Sequence, residues 1–410
     1  MNKKLSALSS DKAQNVAVLT TSRSEYYQFR PILRCLQKSK MLRLQLLVSG
    51  SHLSARYGQS ERDIVKDGFS PFERIPILID DDSGLGAAFT SGLAVQMIAE
   101  SLCHGATDLL LILGDRYEIL AAAIAATCLN IPIAHIHGGE RTDGAFDDAC
   151  RHAITKLSSL HFTSTDVYRA RIIQMGEYPN HVFAVGAPLV DEIISTSLLS
   201  KSEIEKRLKL RMERPIALVT YHPTTREQSD AGRVCKIMLD EIAGFCKTII
   251  ITAPNHDPGR ETIIESIKTF VDLHDNTGFF DNLGGQTFIS VMSRADIMIG
   301  NSSSGIHEAA SFELPAVNIG SRQANRLHPR NVLDCEPDKA SIKKGVSLAL
   351  SDKFRRKISG LRNPYGDGHA GERIVKCLEQ FVPFCNIRQK PFADGPDVRK
   401  ATLKWIKKYG

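Results

Sequence analysis

The sequence has little that would anchor the chain in a membrane or export it. No apolar run reaches the roughly 20 residues that a membrane-spanning helix needs. The first stretch, MNKKLSALSSDKAQNVAVL, has basic residues but no apolar core or cleavage site before its polar part. No secretory signal is therefore expected, and we predict a cytoplasmic protein without a membrane span.

Paired cysteines are also missing. The chain has nine cysteines, an odd number, and none of them forms a CxxC pair. Cys35, Cys128 and Cys246 lie in apolar stretches, which is typical of reduced thiols in a protein core. This pattern argues against a disulfide framework and indicates no metal site.

The common nucleotide-cofactor motifs are absent as well. No GxGxxG follows the first predicted strand, and no GxxxxGK followed by Ser or Thr occurs. NAD-dependent dehydrogenases and P-loop NTPases therefore lose their main support. We predict an activity that needs no cofactor.

The net charge of +6 over 410 residues is concentrated in the carboxyl-terminal tail. Between residues 383 and 410, seven Lys or Arg residues accompany two Asp residues, so the rest of the chain is about neutral. Binding to nucleic acid is therefore not expected. The tail carries Trp405, the one tryptophan of the chain. Its composition favours a solvated terminal helix over a contact with a partner or a membrane.

Short apolar stretches alternate with helical patterns along both halves of the chain. The predicted strands are 15–20, 44–50, 109–115, 131–139, 160–165 and 181–186, then 215–223, 247–255, 295–305 and 315–320. Nearly continuous apolar strands between helices are typical of a parallel sheet covered on both faces. The sequence predicts an α/β fold of two doubly wound, Rossmann-like domains facing a cleft. The expected boundaries are 1–190, a connection 191–214, 215–382 and a basic tail 383–410.

Charged side chains cluster at the predicted strand ends of the first half. Each alone could cap a helix, but loops at one sheet edge have no structural need for carboxylate, imidazole and guanidinium groups together. In HIHGGERTDGAFDD, the adjacent pair Gly138 and Gly139 lets the backbone approach a ligand closely, and the acidic residues and histidines could transfer protons. The candidates are Arg23, His52, Asp115, Arg116, His137, Glu140 and Asp147.

Strand ends of the second half carry hydroxyl, amide and imidazole groups in YHPTT, APNHD and GNSSSGIHE. GNSSSG is typical of a strand that turns into a helix, whose unpaired N–H groups and Ser hydroxyls could bind phosphate. Glu308 follows one helical turn later, where its carboxylate could accept hydrogen bonds from a ribose. The second half therefore favours a nucleotide site.

Taken in order, these motifs resemble one family. They are GDR, HxxGGE before the helix DDACRHAITK, YHPTT, PNHD, GNSSSGIHE and GSRQ. Over roughly residues 15–380 they resemble the hydrolysing UDP-N-acetylglucosamine 2-epimerases of bacterial sialic acid synthesis and the epimerase half of a bifunctional animal enzyme. A close branch acts on UDP-2,4-diacetamido-2,4,6-trideoxyglucose in legionaminic acid synthesis. The resemblance implies a fold of the glycosyltransferase B type.

The resemblance also implies a reaction: UDP-N-acetylglucosamine and water give UDP and N-acetylmannosamine. A base removes the C2 proton, UDP leaves C1, and water adds to the resulting glycal while a proton returns to the other face of C2. Asp115, Glu140 and Asp147 would handle the protons. The animal enzyme reads HIEGGE where this chain has HIHGGE, so His137 is a fourth candidate.

The family further implies that the second domain holds UDP. The implied contacts are Ser302 and Ser303 to phosphate, Glu308 to ribose, and His222, Asn255 and Arg322 to the nucleotide. Their positions at strand ends make Arg23, His52 and Arg116 further predicted substrate contacts. A homodimer or homotetramer is expected. Four alternatives stay open: the 2,4-diacetamido sugar as substrate, a non-hydrolysing epimerase, a glycosyltransferase, and a nucleotide-sugar binding protein without turnover.

Overall fold

The chain forms two compact units in a computed structural model that describes residues 13–81, 83–141, 146–223, 230–254 and 259–409. The first unit comprises residues 1–192 and 366–410, and the second comprises residues 193–365. Each unit is built on its own parallel sheet. The predicted α/β fold of two doubly wound sheets is confirmed.

The first unit has a seven-stranded sheet in the order β3-β2-β1-β4-β5-β6-β7, with every neighbouring pair parallel. Its strands are β1 (Gln14–Thr20), β2 (Leu42–Ser49), β3 (Glu73–Ile75), β4 (Leu109–Leu113), β5 (Ile133–Ile136), β6 (Leu160–Thr163) and β7 (Val182–Ala184). Successive side chains point to opposite faces. Val16 and Val18 therefore enter one apolar core, and Ala17 and Leu19 enter the other.

Helices cover both faces of this sheet, which is why its strands are apolar on both sides. They are α1 (Arg23–Lys38), α2 (Glu61–Lys66), α3 (Gly84–His104), α4 (Tyr117–Cys128), α5 (Phe146–Leu157), α6 (Asp166–Gln174) and α7 (Pro188–Ser195). One of them, α3, is long and apolar enough to cross a membrane by length and composition alone. Its residues Ala94, Ile98 and Leu102 are fully buried in a core of the first unit.

The second unit has a six-stranded parallel sheet in the order β10-β9-β8-β11-β12-β13. Its strands are β8 (Ile216–Thr220), β9 (Thr248–Thr252), β10 (Thr277–Phe280), β11 (Ile297–Gly300), β12 (Ala316–Ile319) and β13 (Val332–Cys335). Its helices are α8 (Lys201–Leu208), α9 (Ala231–Ala243), α10 (Arg260–Leu273), α11 (Gly285–Met292), α12 (Ser304–His307), α13 (Lys339–Ala349) and α14 (Asp352–Ile358). Two apolar clusters again pack on opposite faces of the sheet.

The chain then returns to the first unit through α15 (Ala370–Gln380), before the final helix α16 (Pro396–Tyr409). Ile374 and Leu378 of α15 are completely buried in the same core as Phe29 of α1. The carboxylate of Asp191 accepts hydrogen bonds from the first two N–H groups of α15, at 3.0 and 2.7 Å. Residues 366–382 therefore pack with the first unit, whereas the sequence placed them in the second domain.

All nine cysteines lie in the described part of the chain as free thiols. Cys246 is buried, as the sequence predicts, and Cys35 is half-buried. The expectation for Cys128 was wrong: it is exposed, because it occupies the last turn of α4 on the side away from the sheet.

Candidate active site

The candidate residues of the first unit lie at the carboxyl ends of β1, β2, β4 and β5 and at the start of α5. In the order of the sheet, β1 is flanked by β2 and β4, so the chain reverses its direction of winding between β1 and β4. Loops leave a crevice at such a switch point, where ligands of open α/β sheets bind. Asp115 and Arg116 follow β4, and His137 and Glu140 follow β5.

Asp115 and α5 are joined by Arg151. The Arg151 guanidinium pairs with the Asp115 carboxylate, and its Nη1 also lies 3.1 Å from Oδ1 of Asp148. Arg151 is almost completely buried, whereas about a quarter of the Asp115 side chain is exposed. This arrangement leaves part of the Asp115 carboxylate open to a ligand while one of its oxygens is fixed. Arg151 is the first residue of RHAITK, but no role was predicted for it from the sequence.

Asp147 is the second residue of α5 and is half-buried. Burial raises the pKa of Asp147, and the negative charge of Asp115 raises it further. The positive charges of Arg116 and Arg151 act in the opposite direction. Two predicted carboxylates are thus brought close enough to interact, with two guanidinium groups beside them. Such a pair can divide the roles of proton donor and proton acceptor.

The Arg116 guanidinium contacts two buried glutamates, Glu118 and Glu25, that were not predicted as site residues. Its Nη2 lies 2.6 Å from Oε1 of Glu118, and its Nε lies 3.8 Å from Oε1 of Glu25. Burial raises the pKa of Glu25 to about 7, although Arg116 and hydrogen bonds from Thr21 oppose the shift. Glu25 lies in the stretch TSRSEY, residues 21–26, so its position directly after a strand was the available signal.

His137 and Glu140 form a hydrogen-bonded pair. Nδ1 of His137 lies 2.9 Å from Oε1 of Glu140, and both side chains are largely buried. Nε2 of His137 is buried and has no hydrogen-bonding partner among the residues that the structure describes. When Nδ1 donates to Glu140, a neutral imidazole has a lone pair at Nε2. His137 and Glu140, which the sequence offered as alternative proton carriers, therefore form one hydrogen-bonded pair.

The backbone around this pair is shaped by unusual torsions. His137 has a φ of +67°, in the left-handed region that few residues with a side chain adopt. Gly139 has a φ of +79°, and a Cβ there would lie 2.5 Å from the carbonyl oxygen of Tyr168. Glycine is therefore required at this position. Residues held in such conformations cluster at functional sites.

The other two predicted substrate contacts of the first unit are His52, which is buried, and Arg23, which is exposed. His52 is completely buried, and its ring nitrogens lie 3.0 Å from Oγ1 of Thr20 and 2.8 Å from Oγ of Ser60. Burial lowers the pKa of His52 to about 4. Both ring nitrogens of His52 thus have hydrogen-bonding partners inside the protein, and its role as a substrate contact stays a prediction. Arg23 is exposed at the first position of α1.

In the second unit, Asn301 connects the ends of β8 and β11. Its Oδ1 accepts a hydrogen bond from the His222 N–H at 2.7 Å, and its Nδ2 donates to the His222 carbonyl at 2.8 Å. Arg322 and Gln323 donate to the carbonyl oxygen of Asn301 at 3.1 and 2.9 Å. Burial, and then the charge of Arg322, lower the pKa of His222 to about 3. The buried Asn301 was missed, although GNSSSG contains it.

The serine-rich turn after β11 has a different shape from the one predicted. The helix that follows, α12, is only four residues long and continues into a 3₁₀ turn, so it lacks the dipole of a long helix. Ser302 Oγ accepts from the Ser304 N–H at 3.3 Å, and Ser304 Oγ donates to Glu308 Oε1 at 2.7 Å. Burial raises the pKa of Glu308, against the effect of Ser304. Ser303 is half-buried in the same turn.

The structure thus brings the candidate residues together in two groups, one at the strand ends of each sheet. Asn255, with most of PNHD and the Thr residues of YHPTT, lies outside the described residues. Within the described ranges, no group of three or more His, Cys, Asp or Glu side chains is placed to hold a metal ion. Carboxylates and imidazole in the first unit can transfer protons, and hydroxyl, amide and guanidinium groups in the second can bind an anion.

Comparison with known proteins gives a consistent result. Residues 34–379 match the family model described as UDP-N-acetylglucosamine 2-epimerase. The chain is 37% identical over 366 residues to a hydrolysing UDP-N,N'-diacetylbacillosamine 2-epimerase of Legionella pneumophila, which covers 89% of this chain and 96% of that protein. It is 33% identical over 383 residues to the hydrolysing GDP/UDP-N,N'-diacetylbacillosamine 2-epimerase of Campylobacter jejuni, covering 93% of this chain and 99% of that protein.

The fold has a solved counterpart. The crystal structure of the UDP-GlcNAc 2-epimerase of Neisseria meningitidis bound to UDP-GlcNAc superposes with a TM-score of 0.72 at 18% identity, over 90% of this chain and all of that one. At this identity the likeness supports the fold and not the substrate. The match to the family model, over most of the chain, and the identity to two epimerases together show that this chain belongs to the UDP-N-acetylglucosamine 2-epimerase family.

Proposed function

We propose that the protein is a hydrolysing 2-epimerase that converts a UDP-linked 2-acetamido sugar and water into UDP and the free sugar with inverted C2. The observation that carries this proposal is the group of proton-transferring side chains at the ends of β4 and β5. Asp115 and Asp147 interact with each other, and His137 is paired with Glu140. Two sets of proton carriers are what removal and return of a proton on opposite faces of C2 require.

The chemistry balances in two steps. A base takes the C2 proton, the C2–H electron pair forms the C1=C2 double bond, and the C1–O bond breaks with its electrons going to UDP. Water then adds through its oxygen to C1 and gives up a proton to a carboxylate, while the C1=C2 electron pair takes up a proton on the other face of C2. We assign His137, with Glu140 behind it, and the Asp115–Asp147 pair to the two proton transfers. The leaving diphosphate gains negative charge, which guanidinium groups stabilise.

We assign UDP to the second unit. His222 and Asn301 are fixed to each other by two hydrogen bonds at the ends of β8 and β11, and Arg322 is bound to the same asparagine. Ser302 and Ser303 are available to phosphate in the adjoining turn, and the Glu308 carboxylate is available to a ribose. A prearranged set of polar groups at strand ends is typical of nucleotide sites in α/β proteins.

Two substrates are compatible with these assignments. The family model is named after UDP-N-acetylglucosamine. The relative at 37% identity is named after UDP-N,N'-diacetylbacillosamine, in which the sugar is a 2,4-diacetamido-2,4,6-trideoxy sugar. The relative at 33% identity is named after the GDP- or UDP-linked form of the same sugar. Their names favour the diacetamido sugar as the substrate of this chain, for a sialic-type acid such as legionaminic acid. UDP-N-acetylglucosamine is the second candidate.

The decisive experiment is turnover of both nucleotide sugars in D2O without added metal or nicotinamide cofactor. We expect release of free UDP and a product with inverted C2 that carries deuterium at C2. The better substrate by kcat/KM identifies the sugar. A product without deuterium would indicate direct hydrolysis or hydride transfer, and UDP-linked product without free UDP would indicate a non-hydrolysing epimerase. Either result would overturn the proposal.

A further inference from the structure

The carboxyl-terminal helix α16 lies outside the part of the chain that the family shares. The family model ends at residue 379, whereas α16 spans Pro396–Tyr409. Its described side chains are exposed along the whole helix. The reaction assigned to the strand ends uses none of its residues. The helix therefore needs a separate explanation.

The segment before α16 is fixed to the first unit. Nζ of Lys390 lies 2.7 Å from Oε2 of the buried Glu177, and it donates to the Lys156 carbonyl at 2.7 Å. The ring of Phe392 lies under Nζ of Lys156, 4.7 Å from the ring centre. The Ala393 N–H donates to the Gly176 carbonyl at 2.9 Å. The base of α16 is thus attached to α5 and to the turn after α6, only a few residues before the helix begins.

The helix itself is amphipathic. Val398, Trp405 and Ile406 recur at helical spacing on one side, and Arg399 and Leu403 lie beside them. The four apolar side chains are 48%, 62%, 50% and 60% exposed, in that order. Such values are unusual for a group of large apolar residues that lie together. One face of α16 therefore presents apolar area to the surroundings.

The opposite face is basic. Lys400, Lys404 and Lys407 follow one another at spacings of four and three residues, so they form one row along the helix. In all, residues 396–409 contain five Lys or Arg residues and one Asp. A helix with Trp, Leu and Ile on one side and lysines on the other is the composition of helices that lie in the interface of an anionic bilayer.

We propose that α16 docks the protein on an anionic lipid surface, with the apolar row in the acyl boundary and the lysine row at the headgroups. In this arrangement both the apolar side chains and the lysines of α16 contact the lipid. A nucleic acid would engage the lysines and leave the apolar row in water. A second copy of the helix would bring two strongly basic segments together, which like-charge repulsion opposes. The short connection from the Lys390 anchor to Pro396 keeps the enzyme body close to that surface.

The test uses the full-length chain and the fluorescence of Trp405, its one tryptophan. The probes are vesicles of phosphatidylcholine alone and vesicles that also contain phosphatidylglycerol. We expect sedimentation with the anionic vesicles only, a blue shift of the Trp405 emission, protection from iodide quenching, and binding that weakens with added salt. Each lysine near an anionic surface strengthens binding by about fivefold. The triple variant Lys400→Glu, Lys404→Glu, Lys407→Glu is therefore expected to bind at least about tenfold more weakly.

Ile406→Glu tests the apolar row and keeps the tryptophan; we expect it to lose the blue shift. Matched controls in the second unit are Leu273→Glu, an exposed apolar residue, and the double variant Lys343→Glu, Lys344→Glu, both exposed. The controls are expected to bind as the parent does, and all α16 variants to retain epimerase turnover. No binding to anionic vesicles at low salt, or equal binding by Ile406→Glu, would overturn the proposal. Equal binding to soluble heparin with the same blue shift would overturn it too.

Discussion

Nδ1 of His137 lies 2.9 Å from Oε1 of Glu140, and His137 holds this position with a left-handed backbone. The geometry orients the imidazole with Nε2, which has no hydrogen-bonding partner in the described part of the chain, away from the carboxylate. A carboxylate that fixes one nitrogen of a histidine sets the tautomer of the ring and stabilises its protonated form. The pair is thus suited to accept a proton and to return it.

We expect Glu140→Gln and His137→Asn each to lower kcat by about 10²- to 10⁴-fold with the fold intact. Asparagine tolerates the left-handed torsion of residue 137 better than most side chains, so His137→Asn removes the imidazole without adding strain. Ser164→Ala, which loses only a 3.4 Å contact to Glu140, is the control and is expected to have a small effect. Near-normal turnover in both main variants would remove the pair from the reaction.

Burial and then the charge of Asp115 raise the pKa of Asp147, and Arg151 is expected to oppose these effects in part. Its positive charge lowers the pKa of Asp147, so Arg151→Gln removes that effect and raises the pKa. Whichever limb of the pH profile of kcat reports Asp147 is then expected to move to higher pH. The measurement is kcat against pH for both proteins. Arg43→Gln, an exposed arginine at the amino end of β2, is the matched control and is expected to leave the profile in place. An unchanged profile in Arg151→Gln would contradict the assignment.

Glu177 is expected to stabilise the first unit in a pH-dependent way. Burial would raise its pKa, but hydrogen bonds from His161, Lys156 and Lys390 together lower the pKa to about 2. For Lys390 the balance is reversed: burial lowers its pKa to about 8 despite the contact with Glu177. Glu177 has more cationic partners than Lys390 has anionic ones. We therefore expect the contacts with these partners to lower the pKa of Glu177 by more than burial raises it.

The folded-state pKa of Glu177 is below its unfolded value, so its contribution to stability is present at neutral pH and is lost as the pH falls from about 4.5 to about 2. Glu177→Gln leaves Lys156 and Lys390, which are partly exposed, without their buried counterion. The cost is therefore expected to be below the about 3 to 5 kcal/mol that is typical of breaking a fully buried pair. We expect a lower Tm at pH 7 and a weaker dependence of Tm on pH in the acidic range. Glu379→Gln, in the same unit, serves as the control. A parallel pH dependence in Glu177→Gln and the parent would contradict this account.

Gly300 is expected to be irreplaceable for the nucleotide site. It has a φ of +137°, and a Cβ there would lie 1.9 Å from the carbonyl oxygen of Thr220. Gly300→Ala is therefore expected to separate β11 from β8, displace Asn301 and weaken UDP binding by at least about tenfold, the loss of one charge-assisted hydrogen bond. Calorimetric titration with UDP measures the effect.

Gly284→Ala is the control for Gly300→Ala, because it introduces an unfavourable backbone torsion without a steric clash. Gly284 also has a positive φ, +70°, but a Cβ there meets nothing within 4 Å. We expect it to lower Tm slightly, because alanine disfavours this torsion, and to leave UDP affinity unchanged. Equal UDP affinity in Gly300→Ala and Gly284→Ala would show that the end of β11 does not shape the nucleotide site.

The sequence alone determined the two sheets, most of their strands and the strand ends at which polar residues collect. Apolar runs such as LLLILGD and TIIIT report burial on both faces, because side chains of a strand alternate over two residues. The amphipathic pattern and the solvation of the tail likewise follow from residues that are close together in the sequence. These features depend on residues that are neighbours in the chain, so their pattern survives in the sequence.

The tertiary structure alone decided which of those residues meet. Arg151 reaches Asp115 across 36 positions of sequence, and His52 is turned inward to Thr20 and Ser60. The helix after GNSSSG ends after one turn, and α15 returns to the first unit because Ile374 and Leu378 fit the core beside α1. Each outcome depends on the packing of segments that are distant in the chain. Local propensity and periodicity carry no information about that packing.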